Sequence, residues 1–329
     1  MKKILFIRFS SIGDIVLTTP VVRAVKQQLN DVEIHFLTKE RFLSVIEENP
    51  YINKVYTIRE QISEVKKELK RENYDYIIDL HHNLRTLHLK SILRKPCRSF
   101  NKLNFEKWLL VKWKINRMPE KHIVDRCFDA ASELGVKYDG QGLDYFIHTD
   151  DEVSSDELPI GFKKGYVAVV IGGAHATKQL PKSKLIELCD KLDLPILILG
   201  GPAEETLGDE LKELFPEKIY NTAGKFSLNR SASLVKNANV VVTSDTGLMH
   251  IAAAFRKKIV SIWGNTVPEF GMYPFLPQEA VNYESIEVKD LDCRPCSKIG
   301  FKKCPKGHFD CMMKISIDDI VEKVTRLYS

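Results

Sequence analysis

Val240–Phe255 reads VVVTSDTGLMHIAAAF. An apolar, β-branched run stops at Ser244-Asp245-Thr246-Gly247, and an apolar helical pattern begins at once. Strand, tight turn and helix in that order make the repeating unit of a parallel α/β sheet. Asp245 is placed to cap the helix. Thr246 and Gly247 open its first turn, where backbone N–H groups find no acceptor inside the helix. Those groups, with the helix dipole, favour a phosphate just outside the strand. Gly247 carries no side chain to keep a ligand away from the backbone. Taken alone, the segment fits either a phosphate-binding turn or a well-capped helix without a ligand.

The amino terminus repeats the pattern. Lys2–Phe9 (KKILFIRF) reads as a buried strand, Ser10–Asp14 (SSIGD) as the turn, and Ile15–Leu29 as the following helix. Arg8 interrupts the apolar run and no small-residue cleavage site follows, so the start reads as a strand, not a signal peptide. Asp14 falls where the strand gives way to the helix, as a cap or as a reactive carboxylate, since open parallel sheets bind ligands beyond their strands' carboxyl ends. Pro20 lies either in a first helical turn capped by Thr19 or at a kink.

The 329 residues are enough for about two domains. Hydrophobic content of 44% and charged content of 28% are those of an ordinary globular chain. No apolar run approaches the roughly 20 residues that span a bilayer. Seven cysteines, an odd number, with no export signal argue for a reducing, cytoplasmic compartment. The net charge is +5, but Arg85–Lys121 alone carries eleven Lys or Arg against two acids, so the remainder is net negative.

Strand patterns fall at Ile4–Phe9, Val32–Leu37, Lys54–Ile58, Tyr76–Leu80 and Arg98–Phe100, with helical patterns at Val16–Leu29, Glu40–Glu48, Gln61–Arg71 and Asn83–Leu93. After Tyr145–Gly161, rich in Asp, Ser, Pro and Gly, alternation restarts. Strands are expected at Tyr166–Ile171, Pro195–Leu199, Lys218–Tyr220, Val240–Thr243 and Ile259–Trp263. Helices are expected at Lys182–Leu192, Ala203–Leu214, Leu228–Asn237, Leu248–Phe255 and Ile317–Leu327. The expectation is an α/β chain of two doubly wound, Rossmann-like domains, 1–155 and 156–329, facing across a cleft. Neither half has G-x-G-x-x-G after its first strand or a Walker loop, which argues against a standard dinucleotide enzyme or P-loop NTPase.

RFSSIGDIVLTTPVVRAV (Arg8–Val25), AHATKQLP (Ala174–Pro181), LGGPAEE (Leu199–Glu205) and VVTSDTGLMHIAAAF (Val241–Phe255) occur in order across nearly the whole chain. Together they resemble glycosyltransferase family 9, the family of the lipopolysaccharide heptosyltransferases. The resemblance implies a GT-B fold with an acceptor-side first domain, a donor-binding second domain, and a last helix packing back on the first domain. It implies inverting transfer of a sugar, typically heptose from ADP-heptose, to the inner core of lipopolysaccharide. An in-line displacement needs a base for the acceptor hydroxyl and a counter-charge for the departing diphosphate. Asp14 matches the family's base and Lys178 the lysine that neutralises donor phosphate. Asp245, Thr246 and Gly247 match the donor-phosphate turn, where Asp245 orients the turn or contacts the sugar. His250, one helical turn past Thr246, faces the same side or is a buried structural histidine. Glu204 matches the ribose-binding carboxylate, and Phe226 aligns near the base. Gly172-Gly173-Ala174 stand where heptosyltransferases often carry Thr or Ser, which opens the identity of the donor sugar.

No cofactor is required: the nucleotide sugar is itself the substrate. The partners expected are that donor, a lipopolysaccharide core or lipid A precursor, and the inner membrane surface; no nucleic-acid motif accompanies the basic segment. Asn104–Ile115 (NFEKWLLVKWKI) interleaves Phe105, Trp108, Leu109, Val111 and Trp113 with Lys107, Lys112 and Lys114. That pattern suits either an anionic membrane surface or a core-packed helix with a solvated lysine face. Cys293-x2-Cys296, Cys304 and Cys311, with His308 between, fit either structural zinc or oxidisable thiols, and the surrounding Lys and Arg would lower the thiol pKa values. Rival functions are transfer from a different nucleotide sugar, a GT-B-like epimerase lacking visible acid/base residues, and a non-catalytic nucleotide-sugar-binding protein.

Overall fold

The computed structural model describes residues 1–277 and 282–328. The chain divides into two compact units, Met1–Leu103 with Lys121–Phe146, and Asn104–Glu120 with Ile147–Ser329. The boundary thus falls at 146/147, within the Pro- and Asp-rich stretch but before the expected 155/156. Asn104–Glu120 belongs with the second unit despite its place in the first half.

In the first unit the elements are β1 (Lys2–Ile7), α1 (Ile12–Val16), α2 (Thr19–Gln28), β2 (Val32–Lys39), β3 (Lys54–Ile58), α3 (Lys66–Arg71), β4 (Tyr76–Asp79), α4 (Leu84–Leu93) and β5 (Cys97–Ser99). The sheet order is β3-β2-β1-β4-β5, parallel throughout. Helices on both faces bury the central strand, and Ile4 to Ile7 are fully inaccessible. The order reverses between β1 and β4, so the turns after these two strands, Arg8–Asp14 and Leu80–Asn83, form the switch point where such sheets bind ligands.

The single helix expected from Val16 to Leu29 is broken. Pro20 has no N–H for the carbonyl of Val16, and the Thr19 hydroxyl donates to that carbonyl instead at 2.7 Å. Thr18, not Thr19, is the N-cap residue of α2, and Pro20 is at its second position. Glu40–Val45 is a 3₁₀ turn rather than an α-helix, and Gln61–Arg71 forms a 3₁₀ turn before the shorter α3. Arg23 is buried on α2 and binds Asp139 at 2.7 Å and Asp144, tying the segment before the unit boundary to this core.

The chain continues through α5 (Asn104–Trp113), which lies in the second unit, and α6 (Ile123–Asp129) in the first. The helix α6 has a weak sequence signature because its N-cap is His122, whose ring accepts the Val124 N–H at 3.2 Å.

The second unit holds β6 (Val167–Val170), α7 (Lys182–Lys191), β7 (Ile196–Leu199), α8 (Glu205–Leu214), β8 (Ile219–Asn221), α9 (Leu228–Asn237), β9 (Val240–Ser244), α10 (Gly247–Ala254), β10 (Lys258–Trp263), β11 (Tyr283–Glu287), α11 (Asp310–Met313) and α12 (Ile317–Tyr328). Its order, β11-β10-β9-β6-β7-β8, is again all parallel and reverses between β6 and β9. β11 escaped the sequence reading because YESIE is an edge strand, paired with β10, in which Ile286 is the one buried side chain between polar neighbours. α12 is strongly amphipathic and buries Ile317, Ile320 and Val324 in the core of the second unit, beside α7 and β9 to β11.

Candidate functional site

Each unit brings charged side chains to its own switch point. In the first unit, Asp14 is the third residue of α1, and its Oδ2 accepts from the Ser11 N–H at 3.1 Å and the Ser11 hydroxyl at 2.9 Å. Its Oδ1 is 2.6 Å from the Arg8 guanidinium. The carboxylate closes a capping box and remains partly accessible. Burial pushes its pKa up, but Arg8 and the two Ser11 donors outweigh this and hold it down at about 2. Asp14 is thus a carboxylate throughout the physiological range.

Arg8 joins Asp14 in this candidate site, although in the sequence it reads only as a break in an apolar run. It is buried at the end of β1, donates to the carbonyls of Ser10 (2.7 Å) and Leu80, and lies 5.6 Å from the Phe100 ring centre. His81, after β4, packs on Phe9 with ring centres 4.9 Å apart. Burial, with the charges of Arg8 and Lys102, lowers its pKa to about 4, so His81 is neutral at neutral pH. The available signal was the pair His81-His82 directly after a strand; Asp79 receives both backbone N–H groups, at 3.0 and 2.7 Å, and so shapes that turn.

In the second unit, the loop after β6 and the turn after β9 meet. Lys178 Nζ is 2.5 Å from Asp245 Oδ2, with both side chains largely buried. Thr266, after β10, donates its hydroxyl to the same carboxylate oxygen at 3.2 Å. Asp245 therefore does not cap α10. Thr246 does, accepting the Met249 N–H at 3.4 Å, and the Thr246 hydroxyl is fixed by Thr243 at 3.0 Å. The amides of Gly247 and Leu248 stand in the first turn with no intrahelical acceptor. An ammonium beside such a turn is suited to an anion that bridges them. His250 is buried in α10, which packs against α9, β9 and β10.

Glu204 sits at the end of β7's loop. Its carboxylate accepts from the Gly201 N–H at 2.9 Å and from Gln179 Nε2 at 3.1 Å, and Gln179 also donates to the Gly173 carbonyl at 3.0 Å. A Cβ on Gly172 would come within 3.0 Å of the Glu204 carboxylate, so the departure Gly172-Gly173-Ala174 makes room for this acid. Phe226 carries the Arg230 guanidinium at 4.8 Å from its ring centre.

The cysteine-rich segment buttresses Lys178. Thr177 is buried; its N–H donates to the Phe301 carbonyl at 3.2 Å, and its hydroxyl accepts from the Phe301 N–H at 2.8 Å. Arg294 donates to the carbonyls of Gly264 (2.6 Å) and Thr266 (3.1 Å), holding the loop that reaches Asp245. Gly300 has φ +120°, and a Cβ there would lie 2.6 Å from that of His175. Gly300→Ala is expected to force these loops apart at a cost of about 2 kcal/mol. Thermal unfolding checks this: the melting temperature should fall, whereas Gly161→Ala, in open space, should leave it unchanged.

Cys296 and Cys311 depart from the expected lowering of thiol pKa values. Burial, reinforced by neighbouring thiols, raises the pKa of Cys296 and lifts that of Cys311 to about 12. Among the described residues, the metal-binding side chains whose ligand atoms converge within 4.8 Å are Glu33, His35 and Glu72, not the cysteines. That trio already has a cation, since Lys3 Nζ lies 2.6 Å from Glu72 and 3.5 Å from Glu33.

Comparison with known proteins agrees with this architecture. The family model "Glycosyltransferase family 9 (heptosyltransferase)" matches residues 62–302, well over half of the chain. Lipopolysaccharide heptosyltransferase 1 of Campylobacter coli is 24% identical over 288 residues, covering 80% of this chain and 84% of its own. The glycosyl transferase family 9 structure from Veillonella parvula superposes with a TM-score of 0.78 at 22% identity, over 99% of this chain and 97% of that one. The E. coli heptosyltransferase WaaC with ADP-2-deoxy-2-fluoro heptose superposes with a TM-score of 0.68 at 19% identity, over 98% and 99%. The two parallel-sheet units are thus those of a GT-B glycosyltransferase.

Proposed function

The chain belongs to glycosyltransferase family 9 and is a glycosyltransferase, and from that premise we propose that it transfers heptose from ADP-heptose to the inner core of lipopolysaccharide with inversion at the anomeric carbon. The observation that carries the proposal is the Lys178–Asp245 pair at the first turn of α10. A diphosphate arriving there meets the first-turn amides of Gly247 and Leu248 and a lysine ammonium on one side of the sheet edge. The relative that holds an ADP-heptose analogue supports the choice of donor.

On this reading each residue has a task. Lys178 exchanges Asp245 for donor phosphate and neutralises the charge that grows as the glycosidic bond breaks. Asp245, still held by Thr266, orients the turn. Thr246 and Gly247 supply the binding turn, His250 packs beneath it, and Glu204 receives the ribose hydroxyls. Asp14, in the acceptor-side unit, takes the proton of the attacking hydroxyl as that oxygen bonds to the anomeric carbon and ADP departs. The low pKa of Asp14 keeps it ionised, so the carboxylate carries no proton when the acceptor hydroxyl arrives. The enzyme would work in the cytoplasm, on the inner face of the membrane where a lipid-anchored acceptor is reached.

The test is transfer from ADP-heptose to truncated lipopolysaccharide acceptors, with donor binding measured in parallel and ADP-glucose and UDP-sugars as alternative donors. Heptose transfer supports the proposal. Binding and transfer with another nucleotide sugar alone would replace the donor, a reading that Gly172-Gly173-Ala174 favours because these residues offer no hydroxyl to the sugar. Donor binding without transfer to any acceptor would leave a nucleotide-sugar-binding protein.

A further inference from the structure

The donor and acceptor chemistry leaves one strongly marked element unused. α5 belongs to the second unit. Leu110 packs with Val267 and Phe270, and the Lys107 ammonium lies 5.8 Å over the Phe270 ring. Beyond the helix end, Lys114 Nζ donates to the carbonyls of Cys293 (3.3 Å) and Pro295 (2.7 Å). Lys107 and Lys114 therefore serve this attachment rather than a solvated lysine face.

The rest of the segment turns large apolar groups outward. Phe105, Trp108, Trp113 and Ile115 are 62%, 51%, 60% and 48% exposed, and Phe105 and Trp108 stack on each other with ring centres 6.1 Å apart. A soluble surface rarely leaves such a group of aromatics in water, because each costs transfer free energy in proportion to its apolar area. Lys112 and Arg117 are exposed beside them, within the segment whose net charge is strongly positive. Tryptophan and phenylalanine with an apolar body, bordered by cations, match the interface between acyl chains and anionic headgroups.

We propose that α5 and the turn to Arg117 form a membrane-docking surface that inserts Phe105, Trp108, Trp113 and Ile115 into a bilayer rich in anionic phospholipid. The docking element thereby sits on the unit that carries Lys178 and Asp245, although it lies early in the sequence. This inference does not depend on the identity of donor or acceptor.

Tryptophan emission gives a direct readout, because the remaining tryptophan, Trp263, is buried. Vesicles of phosphatidylglycerol and phosphatidylcholine should shift the emission of the full-length wild type to the blue and carry the protein into the pellet. Pure phosphatidylcholine vesicles should do so far less, and inorganic phosphate not at all. Trp108→Ala with Trp113→Ala should abolish sedimentation. Lys112→Glu with Arg117→Glu should weaken it by roughly tenfold or more, since each basic residue near an anionic surface contributes about fivefold. ADP binding and the melting temperature of each variant establish that it is folded. No emission shift in the wild type, or variants that sediment as well as the wild type, would overturn the proposal. So would a dimer in sedimentation velocity without lipid whose tryptophans are already shielded from acrylamide, because a second copy would then be the occupant.

Discussion

Asp14→Asn is expected to lower kcat by about 10³-fold, within the range that a positioned general base contributes, while ADP-heptose affinity changes by less than about twofold. Asparagine keeps an oxygen for the Ser11 N–H and hydroxyl, so the capping box survives and only the charge is lost. Single-turnover transfer beside donor titration reads the two quantities separately. Equal loss in both would make Asp14 a structural cap and nothing more. Because burial is outweighed by Arg8 and Ser11, Asp14 should impose no acidic limb on the kcat/KM profile above about pH 4.

The same pairing has a stability consequence with a definite sign. The folded pKa lies below the ordinary aspartate value, so the unfolded chain binds the proton more tightly. The contribution, about 2 kcal/mol, is fully present above about pH 4 and is lost as the pH falls toward 2. Chemical denaturation of wild type and Asp14→Asn should therefore differ at neutral pH and converge in acid. Arg8→Ala should move the acidic limb of activity upward, since it removes the group that holds the carboxylate ionised.

Lys178→Met is expected to reduce kcat/KM for the donor by about 10²–10³-fold, the scale for losing one charged group from transition-state stabilisation. It should also destabilise the protein by about 3 kcal/mol, because Asp245 is largely buried and would keep its charge without a cation. Adding Asp245→Asn removes that stranded charge. The double variant should regain most of the melting temperature and none of the turnover. If it regained turnover as well, Lys178 would be only the structural partner of Asp245. If neither variant changed kcat/KM, the donor phosphate would lie elsewhere.

Much of this was legible in residue order. Alternating apolar runs and helical periods fixed the doubly wound class because a parallel strand buried on both faces has few alternatives to Val, Ile and Leu. The turn at Ser244–Gly247 marked a candidate anion site because free N–H groups and the absence of a Cβ are local properties. The errors came from groups that read one way locally and were claimed by distant partners. Asp245 has the composition of an N-cap, yet Lys178, remote in sequence, captures it and Thr246 takes the cap. Cys296 and Cys311 stand in a lysine-rich segment that would suggest acidic thiols, yet burial raises both pKa values. Arg8 looked like an interruption until Leu80, Phe100 and Asp14 were found around it.

The sequence by itself therefore determined two sheets, their turns and the chemical types available at each turn, because hydrophobic period and backbone freedom act over a few residues. Tertiary structure alone decided which charges pair, that α5 and α12 both belong to the second unit, and that the aromatics of α5 face water. Pairing and burial depend on what the rest of the chain places within a few ångströms, and no local pattern encodes that.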